Sequence, residues 1–146
     1  MPLRFDLGPF EKLHIGKTVL LNSHERAYFA FEGDVPIMRG KDVLQPELAR
    51  NSLEKLYCCI QKIYLEEAFT EQQGSYLALM VEALSEELSL HSELKEVDAL
   101  VFGREPFKAL KRLKKLIRAA AFVVERSEPR NYVRRDAYNS RKSLRE

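Results

Sequence analysis

The chain has 146 residues, of which 45% are hydrophobic and 32% charged, with a formal net charge of +2. That is enough apolar material for one modest core. No apolar run approaches the ~18 residues a membrane span needs, and the N-terminus lacks the apolar stretch and cleavage site of a secretory signal, so a cytoplasmic protein is expected.

Residues 1–45 read as β structure. Apolar residues alternate in short pieces: Leu3, Phe5 and Leu7, then Leu13 and Ile15, then Ala27, Phe29 and Phe31. Period two buries one face of a strand. Gly8-Pro9, Ile15-Gly16-Lys17, Asn22-Ser23-His24 and Glu32-Gly33-Asp34 punctuate the pieces as turns. Strands are therefore predicted near 3–7, 12–15, 18–22, 26–32 and 35–38. Short strands joined by tight turns favour a small antiparallel sheet or sandwich. A β unit of this size is too small to bury a good core alone, so it must pack on helices or on a second copy, which makes a homodimer the expectation.

Residues 46–125 read as helical, giving an α+β fold overall. Pro46 suits a first helical turn, with Glu47 at the positive end of the dipole. Asn51-Ser52 offers a second N-cap, with Lys55 standing where a capping box would have Glu. Leu53, Leu56, Tyr57, Ile60, Ile63, Tyr64 and Phe69 recur at helical spacing. Gln72-Gln73-Gly74 reads as an interruption, after which Tyr76, Leu77, Met80, Val81, Leu84, Leu88 and Leu90 form another apolar face. Leu94, Val97, Leu100, Val101 and Phe102 continue to Gly103, a C-terminal stop. Glu105-Pro106 opens a last helix striped by Phe107, Leu110, Leu113, Leu116 and Ile117. Two antiparallel helical hairpins would give the region its shape. From residue 126 to 146 the chain is polar and basic, and disorder without a partner is expected there.

Charge is unevenly distributed. Arg104–Glu146 carries fourteen Lys/Arg against five Asp/Glu, whereas Met1–Gly103 carries ten against seventeen. A basic C-terminal third suggests an anionic partner. Lys108, Lys111, Arg112 and Lys115 lie off the apolar stripe of the last helix and are candidate anion contacts. That stripe is more simply core packing than a membrane-surface face.

Catalytic and metal-binding patterns are missing from the sequence. His14, His24 and His91 fall in separate predicted elements, and no HExxH, GxSxG, P-loop or GxGxxG motif occurs. Glu66-Glu67 and Glu86-Glu87 read as solvated helix faces. Cys58 and Cys59 are adjacent and lack CxxC spacing, so they read as reduced thiols in or near a helical core. A non-enzyme without cofactor or metal is expected. The basic residues remain. Arg39 and Lys41 flank Gly40 at the strand-to-helix junction, Arg4 lies on the first strand opposite Leu3 and Phe5, and Tyr28 is placed to stack on a base. Arginine on a rigid strand end can grip phosphate or a base edge, as in single-stranded RNA binding.

The frame L-x-x-x-E-K-x-x-I-G-x-x-V-L at Leu7–Leu20, R-G-K-D-V-L-Q-P-E at Arg39–Glu47, Ile63-Tyr64-Leu65-Glu66 and E-P-F-K-A-L-K-x-x-K-K-L-I at Glu105–Ile117 together resemble the FlbT family. Its members are bacterial flagellum-biosynthesis regulators. The resemblance spans roughly residues 1–125, and Glu54-Lys55 stands where the family commonly carries a basic pair. It implies a non-enzymatic protein that associates with the 5′ untranslated region of flagellin mRNA and alters its translation or stability. Arg39 and Lys41 would then be RNA contacts at the edge of a β platform. The N-terminal half, through Glu11–Gly16 and Val35–Arg39, is also similar to CsrA, a dimeric β protein that binds mRNA leaders. That likeness assigns RNA contact to Arg39 and Arg4 by position. If the site is a surface turn, Arg39→Ala should weaken RNA binding without loss of fold. The alternative is a protein-interaction module whose helical region holds flagellin or the small regulator FlaF. The acidic middle (Glu82, Glu86, Glu87, Glu93, Glu96, Asp98) supports it.

Overall fold

The computed structural model describes residues 3–127. Five strands come first: β1 (Leu3–Leu7), β2 (Lys12–Ile15), β3 (Thr18–Leu21), β4 (Ala27–Phe31) and β5 (Ile37–Arg39). Four helices follow: α1 (Ser52–Glu66), α2 (Phe69–Glu86), α3 (His91–Phe102) and α4 (Pro106–Ser127). The α+β architecture is as the hydrophobic periods imply. The predicted basic tail lies outside the described residues apart from the end of α4.

The strands form two antiparallel sheets, one of β1 and β4 and one in the order β3-β2-β5. Phe5 faces Phe29 across the first, while Leu13 faces both Leu20 and Arg39 in the second. Leu7, Leu13 and Ile37 are buried between the sheets, flanked by Phe5, Ile15, Phe29 and Phe31. The alternation of β5 turns Met38 the other way, into the helical core. Asn22 is buried in the turn after β3, its Nδ2 donating to the carbonyls of Leu7 (3.2 Å), Gly8 (2.7 Å) and Glu25 (2.8 Å).

Leu53, Leu56, Ile60 and Ile63 of α1 meet Tyr76, Met80 and Ala83 of α2, Leu94, Val97 and Val101 of α3, and Leu110 and Leu113 of α4 in one core. Each set recurs every three or four residues, so each helix buries one stripe. α1 packs against α2 and α4, and α3 against α4.

Four local readings of the helical half need correction. The expected apolar face of α2 is split: Tyr76 and Met80 are buried, but Leu77 and Val81 are exposed on the other side of the helix. Pro46 opens only a single 3-10 turn, Pro46–Leu48, and the chain is extended again at Ala49. The helix proper starts at Ser52, one residue after its cap. Asn51 accepts the Glu54 N–H at 2.9 Å, and the Glu54 carboxylate accepts the Arg50 N–H at 2.9 Å. The acid of the cap is therefore Glu54, three residues after Asn51, and Lys55 is not in the position of a capping-box acid. Lastly, Gln72-Gln73-Gly74 lies inside α2. The break falls at Glu67, whose φ of 51° places it in the left-handed region, with its N–H returning to the Ile63 carbonyl. A left-handed Glu has no sequence signature, because packing of α2 along α1 imposes it.

Candidate functional site

The segment Ile37–Leu44 crosses α1, and α1 grips it with a polar row at helical spacing: Tyr57, Gln61 and Tyr64. Tyr64 Oη accepts the Ile37 N–H at 2.9 Å and donates to the Ile37 carbonyl at 3.1 Å. Gln61 accepts the Leu44 N–H at 2.9 Å and donates to its carbonyl at 3.0 Å. Tyr57 donates to the Asp42 carbonyl at 2.7 Å. Backbone groups that β5 leaves unpaired are thus satisfied by side chains, which holds the Arg39-Gly40-Lys41 corner rigidly. Desolvation, followed by the charge of Asp42, pushes the Tyr57 phenol up to about 12, so it stays a donor.

The corner divides its residues between two tasks. Arg39 is the last residue of β5, not a turn residue. Its guanidinium donates to the Asp6 carbonyl at 2.9 Å and lies near the carboxylates of Asp6 (3.7 Å) and Glu11 (3.6 Å). It also sits 4.4 Å above the centre of the Phe5 ring. Arg39 therefore clamps the two sheets together, and the expectation that its loss would leave the fold untouched is corrected. Gly40 lets the chain pass close to β2: a Cβ there would stand 2.9 Å from the Lys12 Cβ and 3.0 Å from its carbonyl oxygen. Lys41 is exposed and points at no carboxylate among the described residues.

Lys41 lines a concavity of about 500 Å³ with Phe10, Lys12, His14, Val19 and Arg39. A second concavity, of about 470 Å³, holds Lys17, Cys58, Lys62 and Glu66. His14, Val43 and Gln45 line both, so the two form one groove between β2 and α1. Lys12, Lys17, Lys41 and Lys62 are all exposed, and among the described residues none makes an ion pair. Glu11 and Glu66 are the acids of the groove. At its mouth Phe10 is 68% exposed and held at φ 60°, a conformation unusual for a bulky residue. An exposed aromatic beside unpaired lysines is the chemistry that stacks bases and contacts phosphates.

Sequence reasoning found Lys41 of this groove but missed Lys12, Lys17, Lys62 and Phe10. Lys12 and His14 alternate on one face of β2, and Lys17 occupies a hairpin turn, which are signals too common to select them. Only the packing of α1 brings Lys62 alongside. Arg4 lies elsewhere. It is exposed on β1 in a shallow depression with Tyr28 of β4, which is 78% exposed.

The cations predicted on α4 are mostly engaged. Lys108 pairs with Glu105 at 3.0 Å, Arg112 with Glu96, and Lys114 with Asp42. The Lys111 ammonium lies 4.7 Å from the centre of the Phe107 ring. Lys115 is exposed.

Burial, then the Lys12 charge, lowers the His14 pKa from 6.5, which favours the neutral imidazole. Desolvation, then Glu54, pushes the Cys58 thiol up to about 11. Cys59 is buried and likewise raised by desolvation. Neither thiol is a thiolate at neutral pH, so neither is poised as a nucleophile. Among the described residues no cluster of three His, Cys, Asp or Glu could hold a metal, and no helix is long and apolar enough to cross a membrane.

Residues 3–123 match the family model for the flagellar protein FlbT. A probable flagellum biosynthesis repressor protein FlbT from Rhodopseudomonas palustris (strain TIE-1) is 33% identical over 126 residues, covering 86% of this chain and 100% of that protein. Another, from Bradyrhizobium diazoefficiens, is 29% identical over 80% of this chain and 81% of its own. A flagellum biosynthesis repressor protein FlbT from Caulobacter vibrioides (strain ATCC 19089) is 27% identical over 80% of this chain and 85% of that protein. No solved structure matches the chain.

Proposed function

This chain belongs to the FlbT family, and from that premise we propose that it is a non-enzymatic regulator of flagellum biosynthesis that binds the 5′ untranslated region of a flagellin mRNA. Its relatives named as repressors favour a negative effect on flagellin synthesis. The observation that carries the RNA reading is the groove between β2 and α1, where Lys12, Lys17, Lys41 and Lys62 lie exposed without ion-pair partners among the described residues, Lys12 and Lys41 in the same concavity as Phe10. A backbone already held by side-chain hydrogen bonds adds no loop-ordering cost on binding, which leaves only the lysine side chains to be ordered. A single strand can lay its backbone along the lysines and stack a base on Phe10. Arg39 then acts by positioning the corner, whereas Lys41 makes contact.

The test is a gel shift against the 5′ leader of the organism's own flagellin mRNA, beside an unrelated leader of equal length. Selective binding is expected. If all four lysines meet phosphates, log affinity falls with log salt at a slope of about −3. Equal binding to both leaders, or binding that survives Lys41→Glu with Lys62→Glu, would refute the reading.

A further inference from the structure

We propose that the outer face of α2 is a docking surface for a basic amphipathic helix of another protein. Gly74, Leu77, Ala78, Val81 and Ser85 fall on one side of α2 and are all exposed, Leu77 by 45% and Val81 by 62%. The Ser85 hydroxyl donates to the Val81 carbonyl at 2.9 Å. The one polar side chain of the stripe is therefore satisfied within its own helix. The stripe runs for about 17 Å at 1.5 Å per residue, and Leu88, just past the helix end, is 75% exposed. Gly74, Ala78 and Ser85 are small enough for a second helix to approach closely, and Leu77 and Val81 supply the apolar contact.

Charge identifies the occupant. Glu71, Glu82 and Glu86 follow one edge of the stripe by helical spacing. Between Phe69 and Leu94 there are five acids, Glu71, Glu82, Glu86, Glu87 and Glu93, and no Lys or Arg. A nucleic acid is repelled by that rim. A second copy of α2 packed antiparallel would set the same glutamates near one another. The basic amphipathic helix of this chain, α4, has its stripe buried at Leu110, Leu113 and Leu116. It cannot serve a neighbouring copy without unfolding. The basic segment 126–146 of this chain is poor in aliphatic residues and offers no apolar stripe by its sequence, so what remains is a helix from a different protein with an apolar face and Lys or Arg along its edge, the helix-in-groove mode of recognition. This inference is independent of the RNA groove, since none of these residues lines it.

The probe is a fluorescently labelled helical peptide of about five turns, with Leu and Ala on one face and Lys and Arg at its flanks. Its counterpart carries Glu at the flanks. Anisotropy with the full chain should show saturable, salt-sensitive binding of the basic peptide and none of the acidic one. Val81→Asp should weaken binding at least about tenfold, and Ala78→Arg should do the same by bulk and charge. Both sites are exposed, so thermal melts should match the parent, and Ala78→Arg alone decides the matter if Val81→Asp melts early. Lys41→Glu should leave peptide binding unchanged, which separates this surface from the groove. Equal binding of both peptides, or binding indifferent to Ala78→Arg, overturns the proposal. So does a dimer of the parent chain in sedimentation that Val81→Asp dissociates, since the stripe would then belong to a second copy.

Discussion

The lysines of the β2–α1 groove and the cations of α4 stand in different company. On α4, Lys108, Arg112 and Lys114 each face a carboxylate, and Lys111 rests on Phe107. In the groove, Lys12, Lys17, Lys41 and Lys62 face solvent, and the one arginine there, Arg39, is held by Asp6 and Glu11. Counting charge along the sequence makes α4 the stronger anion site. Pairing narrows the gap: of the α4 cations, Lys111, Lys115 and Arg118 keep no carboxylate partner among the described residues. Lys108, Arg112 and Lys114 are compensated inside the molecule by Glu105, Glu96 and Asp42, whereas among the described residues none of the four groove lysines is.

Charge reversal in the groove tests the contrast most severely. Lys41→Glu with Lys62→Glu should cost about a hundredfold in affinity for the flagellin leader at moderate salt. On α4, Lys108→Glu with Arg112→Glu should change it by less than about threefold. Titrations of both pairs at two salt concentrations would separate them, and a larger loss from the α4 pair would invert the comparison.

Next in size are the side chains that hold the groove. Tyr64→Phe leaves the Ile37 N–H and carbonyl without their side-chain partner, and Gln61→Leu does the same at Leu44. Each should cost about 1–3 kcal/mol in denaturant unfolding. Arg39→Ala should cost about 1–2 kcal/mol through the lost Asp6 bond and Phe5 contact, whereas Lys41→Ala should stay within about 0.5 kcal/mol. A neutral Arg39→Ala would return that residue to the free class. Arg112→Ala removes only a half-exposed ion pair and should cost at most about 1 kcal/mol.

The smallest effect is a pH slope. His14 has a folded pKa below its unfolded 6.5, so the unfolded chain binds more protons in that window. Stability from this group is complete above pH 6.5 and declines as pH falls. Urea midpoints across pH 5 to 7 should show the decline, and His14→Gln should flatten it.

Much of the fold was legible. The strands near 3–7 and 12–15 and the helix start at Pro106 follow from period-two and period-3.6 spacing with turn residues between. The missed break at Glu67 was illegible because an ordinary residue takes the left-handed conformation there. The site was legible in part. Gly40 and Lys41 stand in a short, distinctive motif, but the same motif concealed that Arg39 is bound to Asp6, more than thirty positions earlier in the chain.

The order and type of the elements follow from the residues alone, because local spacing decides which face of a strand or helix can be buried. So does the family, through motifs that keep their order along the chain. Tertiary structure alone decided which charges are available. An ion pair such as Lys114 with Asp42, or Arg39 with Glu11, joins residues far apart in sequence. A lysine's capacity to bind an outside anion depends on whether the folded chain has already brought a carboxylate to it.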